Sequence, residues 1–250
     1  MKAFRICQIA CALFMSASLC ASEINTQLKP LAFDADIAWQ RFRLPNVTIR
    51  NFSESSPAIW QYVDIRLVSQ ISYNVARLLY KDMSVAPQLP EIEIILEDMK
   101  GVAYKEGDFN GAKIHISAQY LAKFAEGKSQ QALYDELIGV LYHEIAHAYQ
   151  FDDNNYKEIG PVIEGIADVV RMKAGYVDPS FRNAGGNFDS GYKTTAFFIH
   201  WLETTGHPHL LVDLNGQLDP NDDKQWSWET FSEHSGIDLS LSWKAYQSEL

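Results

Sequence analysis

The residues of this chain with the most chemistry in them are two histidines four apart, with a glutamate directly after the first: His143-Glu144-Ile145-Ala146-His147. On a helix, positions i and i+4 share one face, so both imidazoles can address a single metal ion. Glu144 lies next to the pair, within reach of a water held by the same ion. The metal lowers the pKa of that water, Glu144 takes its proton, and the hydroxide attacks a carbonyl. The chemistry implied is hydrolysis assisted by Zn2+. Five positions with three fixed recur by chance, and a surface helix with incidental histidines is the bland explanation, so the surroundings must decide.

A third ligand is expected at Glu164, seventeen residues after His147, in Glu164-Gly165-Ile166-Ala167-Asp168. A second helix packed on the first would present Glu164 to the metal. Asp168, one turn later, would then accept a hydrogen bond from a ligand histidine and fix its tautomer. Gly165, lacking a side chain, would let the two helices approach closely. A rival is Asp153, which fills the last place of an extended His-Glu-x-x-His-x-x-Gly-x-x-His/Asp pattern. The glycine of that pattern is Gln150 here, a poor residue for a sharp left-handed turn. Acidic residues also favour helix N-termini without any ligand role.

These residues need helices to hold them, and the chain supplies the spacing. Gln130 to Gln150 carries Leu133, Leu137, Val140 and Leu141 at helical intervals ahead of the histidine pair. Pro161 is expected to open the next helix, Val162 to Lys173, since proline suits a first turn. Gly191 to Thr205 and Leu239 to Leu250 also read as helical, as does Ile59 to Tyr80 nearer the start. Residues 23–58 read as strands and loops. Glu91 to Glu97 alternates as a half-buried strand does, Gly101 and Gly107 mark turns, and Gly111 to Ser117 reads as another strand. That last strand either borders the cleft as an edge or lies inside the sheet. Strands first and helices later imply an α+β domain, with no linker to divide it.

Around the chemical residues the chain resembles a known family. His143 to Gln150, Ile163-Glu164-Gly165-Ile166-Ala167-Asp168-Val169-Val170-Arg171, Lys173-Ala174-Gly175-Tyr176 and Ser190-Gly191-Tyr192-Lys193-Thr194-Thr195-Ala196-Phe197-Phe198 are similar to the core of the plant and bacterial basic secretory protein family. The similarity extends to Leu214-Asn215 and Trp243-Lys244-Ala245-Tyr246, covering roughly residues 35–250. It implies a zincin-like metallopeptidase domain, exported, with the helix motif holding the metal. Peptide hydrolysis also needs a donor for the developing oxyanion. Tyr192, in the family-like stretch, is the candidate, with a packed or capping tyrosine as the alternative; His200, His207 and His209 are weaker ones. An edge strand in such folds pairs with the substrate backbone.

The rest of the sequence sets the context. Lys2 and Arg5 precede the apolar run Ile6 to Ala17, and small residues follow at Ser18, Cys20, Ala21 and Ser22, the layout of a secretory signal over residues 1–22. Its apolar core is too short to span a membrane. Lipid attachment at Cys20 is disfavoured by the bulky Leu19. All three cysteines, Cys7, Cys11 and Cys20, fall in this segment, so the mature chain from residue 23 must bind any metal through His, Asp or Glu. Without Lys2 and Arg5 the formal net charge goes from −11 to −13. Such an acidic surface suits neither nucleic acid nor an anionic membrane, and it departs from the family's name. A hydrophobic content of 47% allows a sizeable core. Asn46-Val47-Thr48 and Asn51-Phe52-Ser53 match glycosylation sites, which act only in a eukaryotic secretory pathway. The expected activity is peptidase action on protein or peptide substrates. Its competitors are an exported binding or defence module, against which the intact Glu144 speaks, and hydrolysis of a cell-wall amide.

Overall fold

The alternation in Glu91–Glu97 builds the middle of the sheet. Ile92, Ile94 and Leu96 of this strand, β2, are fully buried on one face, while Glu91, Glu93 and Glu97 share the other. In the computed structural model, which describes residues 24–33 and 37–250, β2 has two parallel neighbours, β1 (Asn46–Asn51) and β4 (Gly111–Ser117). A fourth strand, β3 (Ala103–Asp108), runs antiparallel to β4 on its outer side, so the order is β1-β2-β4-β3. The register lines up Ile49, Ile94 and Ile114 across three strands. β4 is therefore interior, and β3 is the edge. The sequence AYKEGD hides β3 because an edge strand has few apolar residues, and its Gly107 reads as a turn. The signal expected over residues 1–22 lies outside the described residues. Among the described residues, no helix is long and apolar enough to cross a membrane.

The crossover from β1 to β2 is made by α1 (Ile65–Leu79), which packs on β1 and on the central helix described below. The single helix expected over Ile59 to Tyr80 is in fact two pieces. A 3-10 turn, Ala58–Tyr62, comes first, and Asp64 then restarts the chain by accepting from the Leu67 amide at 2.8 Å. Such a cap stabilises its helix by about 1 kcal/mol. Ser117 does the same work at the end of β4, capping α2 (Ala118–Phe124) without any glycine or proline to announce it.

The central helix, α3 (Gln130–Tyr149), starts at a capping Ser129 and is buried on several sides. Leu137, Leu141 and Ile145 are wholly inaccessible, each burial being worth about 1.5–3 kcal/mol. α3 touches the sheet on one side, α1 on another and α4 (Tyr156–Lys173) on a third.

α4 begins at Tyr156, not at Pro161, which sits inside it. Its first turn is closed by the amides of Glu158 and Ile159, both bonding to the Asn155 carbonyl. Proline's missing N–H leaves the Lys157 carbonyl without its usual helical partner. Gly165 also differs from expectation. A Cβ there would lie 2.6 Å from Thr195 Cγ2, so the glycine admits α5 (Tyr192–Thr205), not α3. The glycine that lets α3 and α4 close up is Gly139, whose Cβ would meet Arg171 Nε at 2.6 Å.

Three shorter helices complete the chain: α6 (Leu210–Gly216), α7 (Trp228–Ser235) and α8 (Leu239–Gln247). α6 and α8 pack on α5, and an aromatic cluster in which Phe188, Phe198, Trp243 and Tyr246 meet ring to ring ties α8 to α5. The architecture is mixed α+β, a small sheet with a larger helical half.

Candidate metal centre

α3 and α4 lie side by side and antiparallel, since Glu136 pairs with Arg171, His143 with Asp168, and His147 with Glu164. Three donor atoms converge between them. His143 Nε2 is 3.1 Å from both Glu164 Oε2 and His147 Nε2, and His147 Nε2 is 3.4 Å from Glu164 Oε2. The two imidazole planes stand at 86°, so each ring presents its edge nitrogen to the same point. His143, His147 and Glu164 form a group that could hold a metal ion.

The fit can be tested by geometry. Tetrahedral zinc with bonds of about 2.0–2.1 Å puts its donors about 3.3 Å apart. The three observed separations bracket that value. The tautomers agree as well. His143 Nδ1 is 2.8 Å from Asp168 Oδ1 and donates its proton to that carboxylate, so that Nε2 is the nitrogen turned toward the other donors. Asp168 itself is buried, and Glu164 is 8% exposed.

The charges around this point are out of balance. Burial pulls the His143 pKa down, but the hydrogen bonds and charges of Asp168 and Glu164 outweigh it and lift the group to about 9. Burial pushes the Glu164 carboxyl up, but its bonds to His143, His147 and Tyr156 take it well below the usual range. Glu144 is buried at 6% exposure, and desolvation raises its pKa against the opposing charges of the two histidines. A carboxylate with raised proton affinity is a stronger base.

All these groups line one cleft of about 870 Å³. β3 forms a rim through Ala103, Tyr104 and Lys105, the part that sequence reading left to turns. Val140 and Glu136 continue the floor along α3 from His143, one and two turns earlier, and Arg171 and Tyr120 stand at that end. Over the twelve residues from Glu136 to His147 the floor runs about 16 Å, room for roughly five extended residues.

A family model described as a peptidase of plants and bacteria matches residues 58–246. The chain belongs to that family. This is the family whose resemblance the motifs carried. The match runs from the turn before α1 into α8, so it takes in β2 to β4 and every residue of the cluster, while β1 lies ahead of it. No curated protein and no solved structure matches the chain.

The remaining sequence candidates of this peptidase-family member fall as follows. Asp153 does not join the histidines. It has φ +52°, its amide bonds to the Leu218 carbonyl, and its Oδ2 accepts from the Trp226 amide at 2.9 Å. Its carboxylate is thus engaged in holding a loop. Tyr192 lines the cleft at the start of α5, held at φ +44° after Gly191 at φ +80°. Its ring is parallel to that of His143, 5° between planes and 6.3 Å between centres. Burial and the nearby carboxylates of Glu164, Asp168 and Glu144 raise its pKa. His200 sits 3.8 Å from Glu203 on α5, and neither it nor His207 nor His209 lines the cleft.

One residue escaped the sequence reading. Tyr156 lines the cleft and its hydroxyl donates to Glu164 Oε1 at 2.5 Å. With the helix start placed at Pro161, Tyr156 read as part of a loop. The signal was the spacing of eight to Glu164, which becomes meaningful only once both residues are on one helix.

Proposed function

We propose that this chain is an exported zinc-dependent endopeptidase, with His143, His147 and Glu164 as metal ligands and Glu144 as general base. The observation that carries it is the set of three donors 3.1–3.4 Å apart with Asp168 bonded to the far nitrogen of His143. Bound there, zinc supplies a Lewis acid and lowers the pKa of water. The family is one of peptidases, and its substrates are peptides or proteins.

The chain's own residues do the rest. A substrate strand laid along β3 pairs with the backbone of that free edge, which positions the scissile bond over α3 and reads main chain rather than side chains. Glu144 accepts the proton of the attacking water and returns it to the leaving amine. Its burial keeps bulk water from competing for that proton. Asp168 holds His143 in one tautomer and one orientation. Tyr192 offers its hydroxyl to the oxyanion as the tetrahedral carbon forms. An active site open along the cleft, about five residues long, suits cleavage within a chain rather than at its end.

The test is metal content and casein hydrolysis of the purified protein beside His147→Ala, Glu164→Ala and Glu144→Gln. The wild type is expected to carry one zinc, and both alanine variants to lose it. Glu144→Gln should keep the metal and lose activity by about 10²–10⁴-fold. A wild-type protein that takes up no zinc would sink the proposal.

A further inference from the structure

Glu164 divides its two carboxylate oxygens between two tasks. Oε2 faces His143 Nε2 and His147 Nε2, while Oε1 accepts the hydroxyl of Tyr156 at 2.5 Å. We propose that Tyr156 is a positioning residue that holds Glu164 as a one-oxygen metal ligand. This rests on the metal-centre reading above.

The construction of α4 makes the contact possible. Eight residues separate Tyr156 from Glu164, about 12 Å along a regular helix, farther than one side chain reaches. Helical side chains lean toward the N-terminus, so Glu164 reaches back. Tyr156 is the first residue of the helix, with no preceding turn to lean on, and its ring reaches forward. A Cβ built on Gly160 would lie 3.8 Å from two of its ring carbons, so the ring runs along the helix over that residue. The start of α4 at Tyr156, ahead of Pro161, is what places the hydroxyl there.

Packing does not explain the residue. Tyr156 is 51% exposed on the cleft wall, so removing its hydroxyl opens no cavity. What it does supply is a constraint on coordination. A carboxylate left free beside a cation can rotate to bind through both oxygens, and zinc accepts a fifth donor. With Oε1 engaged by Tyr156, the carboxylate gives Oε2 alone, and the remaining position on the ion stays open to water and substrate. Tyr192 is placed differently: its ring lies parallel to the His143 imidazole, and no hydrogen bond links it to Glu164.

The experiment compares Tyr156→Phe and Tyr192→Phe with the wild type by two readouts other than activity. The first is the zinc dissociation constant from competition with a chelator. The second is the visible absorption of the cobalt(II)-loaded protein, which reports coordination number. Tyr156→Phe is expected to raise the zinc constant about 10–100-fold. It should also weaken the cobalt bands as a fifth donor enters, with the melting temperature unchanged. Tyr192→Phe should leave both readouts at wild-type values. If Tyr156→Phe binds zinc with wild-type affinity and an unaltered cobalt spectrum, the proposal is overturned, even where activity falls, because the hydroxyl then acts on substrate. A wild-type protein that binds no zinc overturns the metal-centre reading itself, which is a different result.

Discussion

Two charged clusters join α3 to α4, and they are built to opposite ends. At one end of the cleft Glu136 takes the Tyr120 hydroxyl on one oxygen and Arg171 Nη2 on the other, both at 2.7 Å, while Arg171 Nε bonds to the Tyr176 carbonyl. One positive and one negative charge cancel, and each has its partners. At the other end Glu144, Glu164 and Asp168 surround two imidazoles whose Nε2 atoms face each other at 3.1 Å. Three carboxylates against two histidines leave negative charge in excess, and converging lone pairs repel unless a cation or proton lies between them. The first cluster is complete in the protein alone; the second is a group that could hold a metal ion. The same two helices thus carry a fastening and a site. Unbalanced charge and converging donors, more than burial or polarity, tell them apart.

The largest effect expected outside the proposed metal ligands comes from breaking the fastening. Arg171→Leu leaves the Glu136 carboxyl group without its cation in a pocket where its side chain is 15% exposed, and losing one partner of such a pair costs about 3–5 kcal/mol. The double variant Glu136→Leu/Arg171→Leu should recover most of that loss, since no lone charge remains. Urea melts of the three proteins check both statements. Zinc content should stay at the wild-type level in any of them that folds. A loss of metal in the double variant would erase the distinction between the two ends.

A smaller effect is expected from Asp168→Asn, which keeps shape but removes the charge beside His143. Metal affinity should fall about 10–100-fold. The metal-free protein offers a second measure. His143 has a folded pKa of about 9, above its ordinary 6.5. Its contribution to stability is therefore fully present below about pH 6.5 and lost as pH rises through 9. Melting temperatures of the metal-free wild type should decline across that window. Asp168→Asn should flatten the decline, and zinc should abolish it by occupying Nε2. A metal-free protein equally stable at pH 6 and pH 9.5 would show that Asp168 does not hold a charged imidazole.

The second cluster was far more legible in the sequence than the cleft around it, for a physical reason. His143, Glu144 and His147 are set by i, i+4 geometry within one helix, and Glu164 and Asp168 by the same rule within the next, so spacing alone puts each set on one face. The meeting of the two helices was expected through Gly165, but that glycine faces Thr195 of α5, and Gly139 is the one that lets α3 and α4 close up. Tyr156 was lost because proline's preference for a first turn placed the helix start five residues late, and the chain used Pro161 inside the helix instead. β3 was lost because Ala103–Asp108 has one face to the cleft and the other to water, so its pattern carries no apolar alternation. The choice between edge and interior for Gly111–Ser117 depended on that missing strand. The α+β class was readable throughout, since it rests on the strong alternation of β2 and the long apolar periodicity of α3.

The mildest prediction concerns the acid that sequence spacing offered in place of Glu164. Asp153 accepts from the Trp226 amide and sits in a left-handed turn, with Asn154 beside it at φ +48°. Asp153→Ala removes one charge-assisted hydrogen bond and a residue type that tolerates that conformation, a cost of about 1–3 kcal/mol. The loss should appear as a lower melting temperature and faster amide exchange at Trp226. Zinc affinity and hydrolysis should remain at wild-type values, because the carboxylate points its bond at a loop, not at the histidines. A loss of metal in Asp153→Ala would reverse the assignment of the third ligand. It would also mean that the 3.1 Å approach of Glu164 to His143 is a hydrogen bond and nothing more.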